Sequence, residues 1–562
     1  MPSHSPSYPP VDKLSTQLSI PELLDFHLAN NPDFPLYVFA NDDSGSQTEV
    51  SMLEYIRAAH RAGAAIRANG SSQPGEIVAI VALLDAVVYS AIITGMMKVG
   101  LVPFPISTFL SPDAIAKMLQ VNNVRRVITT NSTLPDFLAS IREKLDPTYE
   151  CVFEEAPGLS DLYSKLGKEK AEDDFSPLSD LPCLSDEDLA MCIHSSGSTG
   201  LPKAIRFTHR ALKTLANSYL VRETRNWESP IRFSGFGLLL FHATGIGCYI
   251  TSALSGPITV ALFPPTVTKP NEVPIVATPE NTVQHLERTK ATASFIPPSF
   301  FSSFTRSEKA IEVLRKLVFV NTAGGFIPTT TGDHLVSSGV RLRVVFAGTE
   351  IGVPSLLSLE DLDPQDWNVF AFSKQTKVRW IPHGEGLFRC QFLTSDTYQP
   401  SVENLPNEKG YEGNDLFAPH PTKEGFWRIV GRIDDVIVQT NGQKTLPGPI
   451  EDAVLSSDLA QGAVVFGHQH VHLGVLIELS SGNEIDVNSN SQVERIREQI
   501  WPILDKTNKV LPQYSQICKE MILIASNDKP LPRAAKGTVN RAASLKLYEK
   551  EIEDIYTTAG LD

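Results

Sequence analysis

A strand, a helix and a second strand follow one another between positions 76 and 106. EIVAIVALL is continuously apolar, DAVVYSAIITGMMKVG has helical spacing and ends at Gly100, and LVPFPI begins another apolar run. Two strands joined by a helical crossover lie parallel in a sheet that helices cover. The alternation recurs in RRVITT with FLASIREKL, in TASFIPPS, in KLVFVNTAGG and in RLRVVFAGTE. We therefore expect an α/β fold of βαβ units with parallel sheets.

The chain is too long for one hydrophobic core. Its 562 residues exceed the size at which single cores stop growing, so at least two domains are expected. The sequence changes in character after Gly431, where the short apolar runs GAVVFGH, GVLIEL and EMILIA accompany the amphipathic segment SQVERIREQIWPILDKTNKVL. We predict a large N-terminal domain at residues 1–431, a hinge at 432–434 and a smaller α+β domain at 435–562.

Charge and cysteine content restrict the partners and the compartment. The formal net charge of −15 disfavours nucleic acid and anionic membranes, since like charges repel. The six cysteines are scattered, with no CxxC pair and no histidine cluster at zinc spacing, so reduced thiols and a cytoplasmic location are expected. The first residues, MPSHSPSYPPVDK, lack the apolar core of a signal peptide.

The segment from Phe233 to Thr268 carries no Asp, Glu, Lys or Arg, and its length alone would allow a membrane span. Glycines and prolines interrupt it, and His242 lies inside it. A buried helix followed by the buried strand PITVALF is the favoured interpretation, with a transmembrane helix as the alternative.

The stretch HSSGSTGLPK at residues 194–203 is typical of a loop that holds phosphate. Its hydroxyl groups are donors, its glycines let backbone N–H groups turn inward, and Lys203 adds a positive charge. The glycine spacing fits neither a Walker P-loop nor a Rossmann GxGxxG turn. A solvated hairpin rich in small residues is the alternative.

Six further motifs follow in the order of a known superfamily. HSSGSTGLPKAIRFTHRAL resembles the signature loop of the adenylate-forming enzymes, which include acyl-CoA synthetases, luciferases and the adenylation domains of nonribosomal peptide synthetases. The other motifs are LLFHATGIG, AGGF, FAGTEIG with Phe for the usual Tyr, NDLF, GRIDD and LPRAAKGTVNR. Together they extend from residue 194 to residue 541, and the stretch from DWNVFAF to the hinge is similar to fungal NRPS-like enzymes and carboxylic acid reductases.

The resemblance implies ATP-dependent activation of a carboxylic acid to acyl-AMP with release of pyrophosphate. Mg²⁺ would be the cofactor, and the acyl group would pass to the phosphopantetheine thiol of a carrier domain. No carrier motif follows Lys536. We therefore expect either the adenylation region of a larger enzyme, with a reductase or thioesterase beyond the carrier, or a free-standing acyl-CoA ligase that uses CoA. A catalytically degenerate binding protein is the alternative from another class.

The resemblance also implies roles for single residues. Lys536 would bridge carboxylate and α-phosphate, Thr349 would contact the α-phosphate, and Glu350 would hold Mg²⁺. Asp434 would be the hinge pivot, about which the small domain turns to bring residues 442–444 to the site. The residues expected to bind ATP or AMP are Ser195, Ser196, Gly197, Ser198, Thr199, Gly200, Lys203, Phe346 (stacked on adenine), Ala347, Gly348, Asp415 (on the ribose) and Arg432.

The acyl pocket is predicted from His242, which occupies a position where amino-acid-activating relatives often carry Asp. An α-amino acid would there bury an unpaired ammonium, which is costly, so an aryl or other non-amino acid is expected. His242 would hydrogen-bond or steer the carboxylate; a structural core histidine is the alternative. The other expected wall residues are Ser294, Phe295, Pro298, Ser299, Gly325, Phe326 and Ala347.

Overall fold

The computed structural model of the chain describes residues 6–41, 45–68, 73–195, 202–216, 219–227, 230–356, 362–534 and 537–559. Within these ranges parallel sheets covered by helices form the large domain, and a smaller α+β unit follows. The predicted α/β fold class is confirmed. The domain limits remain predictions; strand Phe426–Arg432 passes directly into the short 3-10 helix Ile433–Asp435 at the predicted hinge.

Two parallel sheets form the frame of the large domain in its described part. The first has seven strands, all parallel except the edge strand Gln47–Ser51. The second has four parallel strands. The strands of the first are, in spatial order, Leu342–Val344, Phe319–Thr322, Ala293–Phe295, Ile231–Ser234, Ile258–Ala261, Pro35–Ala40 and Gln47–Ser51; those of the second are Val102–Pro105, Ile77–Val81, Arg126–Thr129 and Val152–Glu155.

A third, antiparallel sheet precedes the hinge and was not predicted. Its described strands are Phe370–Ala371, Phe426–Arg432, Asp415–Pro419, Leu387–Leu393 and Lys377–Gly384 in spatial order, with Gly410–Glu412 paired to Leu387–Leu393. Its inner face is aromatic: Trp380 stacks on Trp427 with ring centroids 3.5 Å apart. This sheet carries the chain from the parallel sheets to the hinge.

Helices cover both parallel sheets because their apolar residues recur at helical spacing. Helix Ala86–Lys98 is buried almost along its whole length, in agreement with its continuous apolar sequence. The described helices of the large domain are Ile20–Asn30, Met52–Ala68, Ala86–Lys98, Pro112–Val121, Pro135–Lys144, Leu159–Leu162, His209–Ala216, Tyr219–Thr224, Ala243–Ile246 (continued by Gly247–Ser252 and Ala253–Ser255), Pro279–Arg288, Phe301–Phe304, Glu308–Arg315 and Thr329–Ser337.

The small domain packs helices on a mixed sheet. Strand Leu473–Leu479 pairs antiparallel with Ala460–Phe466 and parallel with Ile517–Ile524. The hairpin of Ile437–Val438 and Lys444–Thr445 follows the hinge. The described helices of this domain are Gly448–Leu455, Asn490–Asn508, Arg541–Leu547 and Glu549–Ala559.

The uncharged segment at residues 233–268 forms buried helix and strand, as its glycines and prolines predict. The helical stretch from Ala243 to Ser255 leads to strand Ile258–Ala261 in the middle of the first sheet. None of the helices in the described ranges combines the length and apolarity that a bilayer span requires.

Helices Met52–Ala68 and Ala86–Lys98 approach each other closely at glycines, and this close approach can be tested. A Cβ atom at Gly95 would lie 2.3 Å from the Ala59 carbonyl oxygen and 2.7 Å from the Gly63 nitrogen. Backbone atoms cannot move aside like a flexible side chain, so Gly95→Ala should lower the free energy of unfolding by roughly 1–3 kcal/mol. Gly247→Ala is the helical control, because no atom lies within 4 Å of its Cβ position. Equal urea midpoints for both variants would contradict this packing.

Candidate active site

The serine- and glycine-rich loop begins and ends in an antiparallel hairpin. Strands Leu189–His194 and Ala204–Thr208 pair along their length. Beyond them the Ser195 amide donates to the Lys203 carbonyl oxygen over 2.8 Å, which brings the two ends of the loop together. The Lys203 side chain is exposed. The predicted phosphate ligands Ser196, Gly197, Ser198, Thr199 and Gly200 lie outside the described residues.

The residue before this loop, His194, is buried and neutral. The Ser107 amide donates to its Nε2 over 3.1 Å, so this nitrogen is the unprotonated acceptor. Burial lowers the pKa of His194 to about 4, and a hydrogen bond with the Ser195 backbone offsets only part of this. The ring is therefore an uncharged, fixed support at the start of the loop.

The aromatic-histidine motif lies beside this support. The Phe241 ring stacks on His194 at 6.3 Å and 19°, and the His242 ring lies 5.8 Å from His194. Phe109 contacts the edge of Phe241 at 6.0 Å and is 65% exposed. The structure thus brings the predicted His242 to the base of the phosphate loop, although 48 positions separate it from His194 in the chain.

Thr349 and Glu350 lie at the tip of a clamped turn. The amides of Gly348 and Gly352 each donate to the other's carbonyl oxygen, over 3.0 and 2.8 Å. Gly352 has φ +68°, a conformation that glycine adopts without strain. The Ser401 amide donates to the Glu350 carbonyl oxygen over 2.7 Å, which fixes the tip from outside. The side chains of Thr349 and Glu350 are half-buried, and these hydrogen bonds hold the backbone that carries them.

Arg432 joins the predicted ribose acid to the predicted hinge. Its Nε and Nη2 donate to the two carboxylate oxygens of Asp434, each over 2.9 Å, and its Nη1 lies 3.5 Å from Oδ1 of Asp415. Burial raises the pKa of Asp434, but hydrogen bonding and the charge of Arg432 outweigh this and hold the pKa below its ordinary value. The hydrogen bonds with Asp434 raise the pKa of Arg432. Arg432 thus stands between two carboxylates.

The loop at residues 531–540, named here the lysine loop, touches the large domain through Gly537 and Thr538. Lys536 itself is outside the described residues. A Cβ atom at Gly537 would lie 3.1 Å from Ser299, and one at Gly325 would lie 2.7 Å from Thr538 Cγ2. Two predicted pocket residues, Ser299 and Gly325, therefore contact the residues that immediately follow Lys536.

Two known families match this chain, one in each predicted domain. The AMP-binding enzyme family matches residues 24–371, which is more than half of the 562 residues, and the AMP-binding enzyme C-terminal domain matches residues 434–560. The chain belongs to the AMP-binding enzyme family. Its members that are similar in sequence include the adenylate-forming reductase Nps11 from Serpula lacrymans var. lacrymans, which is 38% identical over 559 residues.

That alignment covers 99% of this chain and 50% of the relative, so the chain spans about half the length of the curated relatives it matches. Among solved structures, the A domain of carboxylic acid reductase from Segniliparus rugosus, in complex with AMP and a co-purified carboxylic acid, superposes with a TM-score of 0.71. The two sequences are 14% identical, and the match covers 98% of this chain and 97% of the A-domain chain. The anthranilate CoA ligase AuaEII with anthranoyl-AMP has a TM-score of 0.69 and 18% identity, and covers 94% of this chain and 98% of its own. These likenesses show the shared fold of this AMP-binding family member.

Phe346, which is predicted to stack on adenine, lies in an aromatic cluster. Its ring is 5% exposed and lies nearly parallel to Phe370 and Phe392, with ring centroids 5.4 and 5.9 Å away, and Phe372 and Phe417 meet it edge-on. Phe346 is therefore part of an aromatic core beneath Ala347 and Gly348, and without the hydroxyl of the usual Tyr it has no polar atom to keep at the surface. Its contact with adenine stays a prediction.

The predicted wall residues differ in their exposure to solvent, and their role as a pocket stays a prediction. Ser294 is buried, and its hydroxyl donates to the Ser234 carbonyl oxygen over 3.0 Å, which links two neighbouring strands. Phe326 is 67% exposed. The buried Phe295 and Pro298, the half-buried Ala347 and Gly325 and the exposed Ser299 lie near strand ends of the first sheet.

Sequence reasoning missed two groups that the structure brings to the site. The phenol of Tyr411 has its pKa raised to about 12, first by burial and then by the negative charges of Glu350 and Asp415. Within the described residues, Oδ1 of Asn321 and Oγ1 of Thr322 are buried without a hydrogen-bond partner. Buried polar atoms are normally paired, so these two oxygens at the end of a sheet strand are candidates for ligand contacts. In the sequence, the sign of such a site was that Asn321 and Thr322 directly follow the apolar run KLVFV.

The buried state of His194 predicts acid sensitivity. Its pKa is about 4 in the folded chain against an ordinary value of 6.5, so the unfolded chain binds the proton more readily between these values. The contribution of the neutral His194 to the free energy of unfolding is complete above pH 6.5, and it is lost as the pH falls towards 4. His194→Gln should reduce the fall in unfolding free energy across this window by roughly 1–3 kcal/mol. Urea titrations at several pH values measure it, with exposed His383→Gln as the control; identical pH profiles for wild type and His194→Gln would contradict the assignment.

Proposed function

We propose that this chain uses ATP to convert a carboxylic acid into an acyl-adenylate and pyrophosphate. The observation that carries the proposal is the contact of Gly537 and Thr538 with Ser299 and Gly325, because it puts the lysine loop at the predicted acyl pocket. The reaction joins two anions, so a lysine brought between them lowers the electrostatic barrier. Lys536 is that lysine in this proposal.

The nucleotide would lie between the hairpin loop and the Arg432 cluster. Lys203 and the loop at residues 195–200 would bind phosphate oxygens, Thr349 would contact the α-phosphate, and Asp415 would accept the ribose hydroxyls, a role suited to its two acceptor oxygens. Arg432 would help to orient Asp415 through their 3.5 Å contact.

Glu350 is the residue proposed to hold Mg²⁺. This ion usually takes one or two carboxylates together with substrate phosphate oxygens. Glu350 lies near Tyr411, whose pKa is raised first by burial and then by the negative charges around it. This arrangement fits a Mg²⁺ ion shared with ATP, and the ion would neutralise phosphate charge there.

The acyl group would then pass to a thiol. We propose that Asp434 is the pivot about which the small domain turns, so that Lys536 leaves and residues 442–444 approach. A phosphopantetheine carrier is favoured over CoA as the acceptor, since the reductases among the relatives are about twice as long as this chain. A carrier and a reductase would belong to the whole protein, which we propose acts in the cytoplasm.

The acid is proposed to be an aryl-type carboxylic acid without an α-ammonium. His242, whose ring lies 5.8 Å from the neutral His194, would meet the carboxylate. The unpaired oxygens of Asn321 and Thr322 could accept a hydrogen bond from a hydroxyl substituent. An unpaired buried ammonium would cost roughly 1–3 kcal/mol, or about tenfold to hundredfold in preference.

Pyrophosphate exchange tests this proposal. Benzoic and hydroxybenzoic acids should support exchange about tenfold to hundredfold faster than phenylalanine or tyrosine, which share the ring but carry the ammonium. Lys536→Ala should lower the rate by roughly two to three orders of magnitude, the scale for losing one transition-state charge partner. Lys546→Ala, an exposed lysine of the same domain, is the matched control.

Three results would count against parts of this account. Faster exchange with the amino acids would overturn the aryl-acid assignment. Near wild-type exchange by Lys536→Ala would overturn the role of that lysine. Exchange with none of the aryl, aliphatic, α-keto or amino acids would overturn the proposed activity itself.

A further inference from the structure

One carboxylate of helix Gly448–Leu455 in the small domain binds a helix of the large domain. Oδ1 of Asp452 accepts a hydrogen bond from the Thr329 amide over 2.9 Å, and Oδ2 accepts one from the Thr329 hydroxyl over 2.6 Å. Thr329 is the first residue of helix Thr329–Ser337. Both oxygens of the carboxylate are therefore used in a contact across the predicted domain boundary.

Asp452 caps this helix from the other domain. The first amides of a helix have no partner within it, and the residue in the cap position, Pro328, has no side chain that could accept a hydrogen bond. A carboxylate at this end also interacts favourably with the helix dipole. The cap is present only when the two domains have the orientation seen here.

The same short segment of the large domain receives the lysine loop. Gly325 contacts Thr538, and four residues later Thr329 binds Asp452. The contact at Thr329 therefore fixes the small domain where the lysine loop lies against the predicted acyl pocket. Turning about Asp434 for a second half-reaction would break both contacts together.

We propose that Asp452 is a positioning residue for acyl-adenylate formation, acting through Thr329 to hold the lysine loop at the site. This inference rests on the proposed function. Asp452 touches no reacting atom; it favours the orientation in which Lys536 can act, and it has no part in thiol transfer once the small domain has turned.

A second polar pair across the boundary supplies a matched control. Arg306 lies 3.3 Å from Asp458, but their side chains are 63% and 99% exposed. Solvent-exposed pairs of this kind contribute little to stability. Asp458→Ala removes a carboxylate from the same domain face without touching the helix cap.

The kinetic test separates the two half-reactions. Asp452→Ala and Thr329→Val should each lower pyrophosphate exchange about threefold to tenfold, the scale of losing a helix cap. Transfer from preformed acyl-adenylate to pantetheine should keep the wild-type rate. Asp458→Ala should leave both rates unchanged. Parallel loss of both half-reactions in Asp452→Ala and Thr329→Val would overturn the assignment, as would wild-type exchange in both.

A second measurement does not depend on any acid being activated. Hydrogen–deuterium exchange, followed by mass spectrometry, should show faster exchange in Asp452→Ala for the peptides that contain Thr329 and the lysine loop. Asp458→Ala should match wild type. Unchanged exchange in Asp452→Ala would contradict the contact even if the chain activates acids. If the wild type activates no acid, the proposed function fails while this readout still decides whether Asp452 holds the loop.

Discussion

The guanidinium of Arg432 is shared by two carboxylates, and the rest of the site depends on this sharing. Asp434 takes two hydrogen bonds at 2.9 Å, and Asp415 lies 3.5 Å from the third nitrogen. Removal of Arg432 would take away the cation that both carboxylates share, and breaking a partly buried charge pair on one side is destabilising. In the proposed function this one cation couples the ribose-binding acid to the hinge.

Small and polar groups take part in the described contacts between the two predicted domains. Gly325 and Ser299 contact the lysine loop, Thr329 binds Asp452, and an exposed pair lies nearby. Interfaces of this kind allow relative domain motion more readily than large apolar ones. By contrast, the turn carrying Thr349 and Glu350 is clamped by backbone hydrogen bonds. In the proposed function, this turn belongs to the nucleotide side of the site, and the few contacts of the lysine loop suit an enzyme that carries out two successive reactions.

The sequence allowed the parallel sheets, their helices and the α+β domain to be predicted, since apolar periodicity is a local property. It did not allow the environment of Phe346 to be predicted, because the rings that enclose it come from residues 370–417. The contact of Thr329 with Asp452 joins positions 123 residues apart, and no local pattern encodes the orientation of two domains. The antiparallel sheet was missed because its strands carry bulges and weak alternation.

The central claim is that the chain forms an acyl-adenylate. The fate of a carboxylate oxygen of the acid tests this claim most directly. A carboxylate oxygen attacks the α-phosphorus and pyrophosphate leaves; a nucleophile then attacks the carbonyl carbon and expels AMP together with that oxygen. Incubation of the chain with ATP, hydroxylamine and an acid labelled with oxygen-18 in its carboxylate, in ordinary water, should give AMP that carries the label. Unlabelled AMP, or label in an inorganic phosphate released beside ADP, would contradict acyl-adenylate formation.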